Sequence, residues 1–105
     1  MKPFTLEDRE TLLKEVFEVL HTLLIEKGKE YSAGKEDTLN NFRDRAKWMG
    51  LEPQHLLFID ASKHLDAIKG WAVHGRPLTL EQADNRIYDA MVYLILLLAL
   101  YRNEK

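Results

Sequence analysis

Glu26 and Glu30 lie four residues apart, and so do Asn85 and Asp89 near the other end of the chain. On a helix that spacing puts both members of a pair on one face, about 6 Å apart along the axis. Two such faces side by side make a patch lined by oxygen donors, which suits Mg²⁺ or Mn²⁺ better than zinc. Each pair also continues a core stripe. Val16, Val19 and Leu23 lead into Glu26 and Glu30, while Asp89 heads a stripe through Val92 or Tyr93 to Leu96. A carboxylate at the head of a core stripe calls for a metal, a cation or a hydrogen bond. For Glu26 and Glu30 a solvated helix end is the other reading. Asp60 and His64 form a third pair at the same spacing, with Lys63 beside it. His64 reads either as a hydrogen-bonded structural residue or as a ligand, and Lys63 as a phosphate or carboxylate contact or a solvated side chain. Arg43, Arg45 and Lys47 give one short helix a basic surface, either solvated or aimed at phosphate.

Four helices must position these residues. Thr5-Leu6-Glu7-Asp8 reads as a helix start, and apolar residues from Leu12 to Ile25 at helical spacing predict a first helix from about Leu6 to Lys29. The stretch from Tyr31 to Thr38 has no apolar period and reads as a loop. Asp37 or Thr38 would cap a second helix, Leu39 to Met49, which uses Leu39, Phe42, Ala46 and Met49 as contacts with Trp48 beside them. Gly50 closes it, and Pro53 opens a third helix running to about Lys69. There Leu56, Leu57, Phe58, Ala61, Leu65 and Ile68 are expected inward, and Trp71 and Val73 are expected to pack down after it. Thr79-Leu80-Glu81-Gln82 is a capping box for a last helix to Tyr101. From Ala90 this helix is apolar all round and must be covered on most sides. The expectation is a single all-α domain over residues 1–105, a four-helix bundle.

Composition removes several function classes. With a net charge of −2, nothing points to a nucleic-acid polymer or an acidic membrane as partner. The absence of cysteine excludes disulfides, thiolate metal sites and a Cys nucleophile. The Ala90–Leu100 run is too short to span a membrane, and Met1-Lys2-Pro3-Phe4 lacks the apolar run of a signal peptide. The reading is a cytoplasmic protein. GxGxxG, a Walker loop, HExxH and GxSxG are all missing. Acidic residues on helices are what remains.

Three segments in order carry a family resemblance: Glu26-Lys27-Gly28-Lys29-Glu30-Tyr31, Leu39-Asn40-Asn41-Phe42, and Arg86-Ile87-Tyr88-Asp89-Ala90-Met91-Val92-Tyr93-Leu94, with Lys63-His64 between the last two. In this the chain resembles the MazG-like all-α nucleoside triphosphate pyrophosphohydrolases, and small phage and prophage members associated with nucleotide modification in particular. The resemblance spans Leu12 to Leu100. It implies a helical bundle, a homodimer or homotetramer, and hydrolysis of a nucleoside triphosphate to the monophosphate and pyrophosphate. Carried over residue by residue, the Mg²⁺ (or Mn²⁺) ligands would be Glu26, Glu30 and Asp89. Glu26, Glu30 and Lys63 would be catalytic, and Lys27, Tyr31, Asn41, Arg43, His64 and Asn85 would bind the nucleotide. The better-known members space their acids by three rather than four, and Asn85 stands where a second carboxylate is expected.

Two other readings arise from the same residues. The missing carboxylate at Asn85 fits a protein on this fold that binds a nucleotide or host factor without cleaving anything. The apolar last helix fits an oligomeric interaction module. In every reading Leu97, Leu98 and Tyr101 are candidates for a subunit interface, because four short helices cannot hide both sides of Ala90–Leu100.

Overall fold

The computed structural model describes residues 2–32 and 34–104, and side chains throughout except at Tyr31. The described residues form helices and connections, with no strand. Helix α1 covers Leu6–His21, and one wide π turn, Thr22–Glu26, joins it without a break to α2, Lys27–Tyr31. The first predicted helix is thus a single rod with a wide turn in it. Then come α3, Asn40–Met49, α4, Pro53–Ala72, and α5, Leu80–Asn103.

The local signals act as their chemistry requires. The Thr5 hydroxyl accepts from the Asp8 amide at 3.1 Å while Asp8 accepts from the Thr5 amide at 2.9 Å. Thr79 and Gln82 make the same reciprocal pair at α5. Gly50 adopts φ +72°, and the Leu51 amide bonds back to the Ala46 carbonyl at 2.8 Å, so a left-handed glycine ends α3. Asp37 accepts from the Leu39 amide ahead of α3 and holds Arg43 Nε at 3.0 Å.

Packing is uneven. α4 and α5 lie side by side and antiparallel, and Leu57 of α4 meets Leu100 of α5 and Leu39 in one cluster. Phe42, Tyr93, Leu96 and Leu97 pack around it. α3 rests on α4 through the fully buried Ala46, beside the buried Asp60, whose Oδ2 lies 3.5 Å from Arg45 Nη1. By contrast, α1 buries none of its residues. Its Leu13 and Phe17 are 68% and 69% exposed. α1 and α5 are neighbours, and partial burial, then the carboxylates of Glu15 in α1 and Asp84 in α5, raise the Tyr88 phenol above its usual range. Leu23 and Leu24 come alongside Val92 and Leu96 further on, so α1 and α5 run in the same sense.

Several expected core positions are at the surface. Phe58, Leu65, Trp71 and Val73 are exposed, and Trp48 is 88% exposed. α4 is covered by α5 and α3 on two sides only, which leaves Phe58 and Leu65 on its outer face. The radius of gyration is 16.0 Å, against about 13 Å for a compact chain of this length. No described helix is long and apolar enough to cross a membrane.

Candidate functional site: a cleft between the π turn, α3 and α5

The cleft lies where the first rod passes α5 and the start of α3. Its volume is about 230 Å³. Leu23, Leu24, Phe42, Val92, Tyr93 and Leu96 make its apolar wall, and Lys27, Gly28, Thr38, Asn41 and Asp89 its polar part. It therefore joins an aromatic and aliphatic surface to a carboxylate, an ammonium, a hydroxyl and an amide.

Asp89 of α5 faces His64 of α4. Its Oδ2 lies 3.8 Å from His64 Nδ1, and the same nitrogen lies 3.3 Å from Arg86 Nη1. The His64 ring stacks on Tyr93, with centroids 5.6 Å apart and planes at 15°. Residues 86, 89 and 93 recur at helical spacing, so one face of α5 presents a guanidinium, a carboxylate and an aromatic ring to His64. Asn41 enters from the first turn of α3. Its Oδ1 is sealed from solvent and has no hydrogen-bond partner among the described residues. A buried acceptor left unmet costs about 1–3 kcal/mol.

Of the residues expected at a site, Lys27, Asn41 and Asp89 line the cleft, and His64 stands directly behind Asp89. Glu26 and Glu30 are exposed and do not line it. Lys27 and Gly28 stand one turn after Leu23 and Leu24 and continue the face that those two present to the cleft. The rod reaches them through the π turn, in which the Lys27 amide bonds to the Thr22 carbonyl five residues back. Lys63 and Asn85 are exposed and outside the cleft lining. Arg43 is held by Asp37, with Glu104 3.8 Å away. The Tyr31 side chain lies outside the described residues.

The expected metal set of Glu26, Glu30 and Asp89 does not gather within one chain. Among the described residues no three His, Cys, Asp or Glu side chains are placed to hold a metal ion. Asp89 is the single acid and Lys27 the single cation in the cleft lining.

Gly28, Phe42, Arg86 and Tyr93 were not among the site residues expected from sequence. Arg86 and Tyr93 carried a signal, since each is one turn from Asp89 on the same face. No family model matches the chain, and no match was found among curated proteins or solved structures.

Proposed function

We propose that the chain binds a nucleoside triphosphate at this cleft and hydrolyses it to the monophosphate and pyrophosphate, in a helical bundle of the MazG-like kind. The observation that supports this best is the pairing of an aromatic and aliphatic wall with Lys27, Asn41 and Asp89 in a single cleft. Binding sites for whole small molecules commonly run to about 300–1,000 Å³. A cleft of about 230 Å³ takes part of a nucleotide. Its wall suits the base, and the triphosphate belongs at the polar edge, where the Lys27 ammonium offsets phosphate charge. In the cleavage step water oxygen bonds to the α-phosphorus. The bond from that phosphorus to the bridging oxygen breaks, and pyrophosphate leaves with the electron pair. Asp89, the carboxylate of the cleft lining, takes up the water's proton.

Mg²⁺ or Mn²⁺ is proposed with the substrate as a charge neutraliser. Mg²⁺ commonly binds one or two carboxylates plus substrate phosphates and waters, and Asp89 is the carboxylate this cleft supplies. A homodimer or homotetramer that covers Leu13 and Phe17, in a cytoplasmic setting, completes the reading. A second reading is a protein that binds the nucleotide without cleaving it. Asn85, an uncharged amide where the resemblance implies a second carboxylate, favours it.

Pyrophosphate release from a panel of nucleoside triphosphates, with Mg²⁺ or Mn²⁺, tests the choice. Release by the wild type and at least a 100-fold loss in Asp89→Asn supports hydrolysis. Saturable binding without release establishes the binder. Neither binding nor release would sink both.

A further inference from the structure

Gly28 lies inside the continuous helical rod just after the π turn, and its backbone does not need a positive φ. A Cβ built there meets no heavy atom of the described residues within 4 Å. Among the described residues neither backbone nor packing calls for glycine at that position. Glycine is nevertheless the poorest helix-interior residue after proline. What Gly28 does border is the cleft, and π turns inserted in α-helices are frequent at functional sites.

We propose that Gly28 is the specificity-determining residue of the cleft, where the bare α2 backbone forms the surface on which the planar base of the nucleotide lies. The inference rests on the nucleotide reading and adds which end of the nucleotide enters and what limits its size. Phe42 and Tyr93 belong to the same lining and give a flat ring apolar and aromatic neighbours. A triphosphate set against that wall would lose its hydration with nothing to replace it, so the charged end stays with Lys27 and the polar edge. Any side chain at residue 28 takes its volume from the space the base occupies. Purines, being larger, lose more than pyrimidines.

The test compares wild type with Gly28→Ala and Gly28→Leu, by thermal unfolding without ligand and by calorimetric titration with the α,β-methylene analogues of ATP and CTP. The unfolding midpoint should rise in Gly28→Ala, because a helix gains alanine in open space. Affinity for the ATP analogue should fall about 3-fold in Gly28→Ala and at least 10-fold in Gly28→Leu, with a smaller loss for the CTP analogue. Unchanged affinity in Gly28→Leu, or equal losses for the two analogues, would overturn the inference while leaving the nucleotide reading intact. A lower midpoint in Gly28→Ala would overturn it too, by showing that the fold itself requires the glycine. If the wild type binds neither analogue, the nucleotide reading falls and this inference with it.

Discussion

Helices α4 and α5 bury Leu56, Leu57, Ala61, Ala90 and Leu100, whereas α1, with its own broad run of Leu, Val and Phe, buries nothing. The two regions differ in how the chain delivers them. Residues 73–79 connect α4 to α5, so these two pack antiparallel as neighbours in sequence. α1 runs in the same sense as α5, and a same-sense neighbour needs the chain to return first, which α3 and α4 accomplish. It therefore meets α5 along one edge only, with Val16, Val19 and Leu23 half-buried while Leu13 and Phe17 face outward. An apolar stripe creates a demand for cover, and topology decides whether the same chain can meet it. The cleft sits on the seam between the two regions, with Asp89, Val92, Tyr93 and Leu96 from the well-packed helix and Leu23, Leu24, Lys27 and Gly28 from the poorly covered rod.

The sharpest way to test this contrast is to remove equal side chains from each region. Leu57→Ala empties a fully buried position and should cost about 2–5 kcal/mol in denaturant unfolding. Leu13→Ala, at a position 68% exposed within one chain, should cost under about 0.5 kcal/mol if the protein is monomeric. A larger cost for Leu13→Ala that depends on protein concentration would show a second copy covering the stripe. Phe17→Asp addresses the same point through assembly. Light scattering should give a dimer or tetramer for the wild type and a smaller species for the variant, and a monomeric wild type would remove the oligomer from the account.

Smaller effects separate the regions further. Thr79→Ala removes the capping box of α5 and should lower global stability by about 1 kcal/mol. Thr5→Ala removes an equivalent box. On the loosely held rod it should show mainly as faster amide exchange near residues 6–10, with little change in the global midpoint. The smallest effect concerns Tyr88. Burial first, then the carboxylates of Glu15 and Asp84, raise its phenol in the folded state. A raised folded-state value favours the protonated form. The contribution to stability is then complete below the unfolded value of about 10 and is lost as pH rises through the folded one. Unfolding midpoints measured from pH 8 upward should fall more steeply in the wild type than in Tyr88→Phe.

The four-rod architecture was legible because its signals are local. Thr5 with Asp8, Thr79 with Gln82, Gly50 and Pro53 each act within a few residues, and each marks the boundary its chemistry implies. The site was legible only in part. Asp89, Asn41 and Lys27 do meet in the cleft. The meeting of His64 with Asp89 and Arg86 depends on the register between α4 and α5, which no local signal sets. The π turn is a slip of hydrogen bonding from four residues to five within an apolar run, Thr22 to Glu26, and no residue type there announces it. Lys27 and Gly28, each four residues after Leu23 and Leu24, follow it into the cleft lining, while Glu26 and Glu30 stay exposed. Exposure of Trp48 and Phe58 was likewise illegible, since helical spacing shows which residues share a face and not whether that face has a neighbour.

Binding of a nucleotide at the seam between the two regions can be read by backbone amide NMR during titration with the α,β-methylene analogue of ATP. Saturable shifts are expected at Lys27, Gly28, Asn41, Phe42, Asp89 and Tyr93, with little change around Trp48 and Trp71. Shifts confined to the Trp48 and Trp71 surface, or none at saturating analogue, would contradict it.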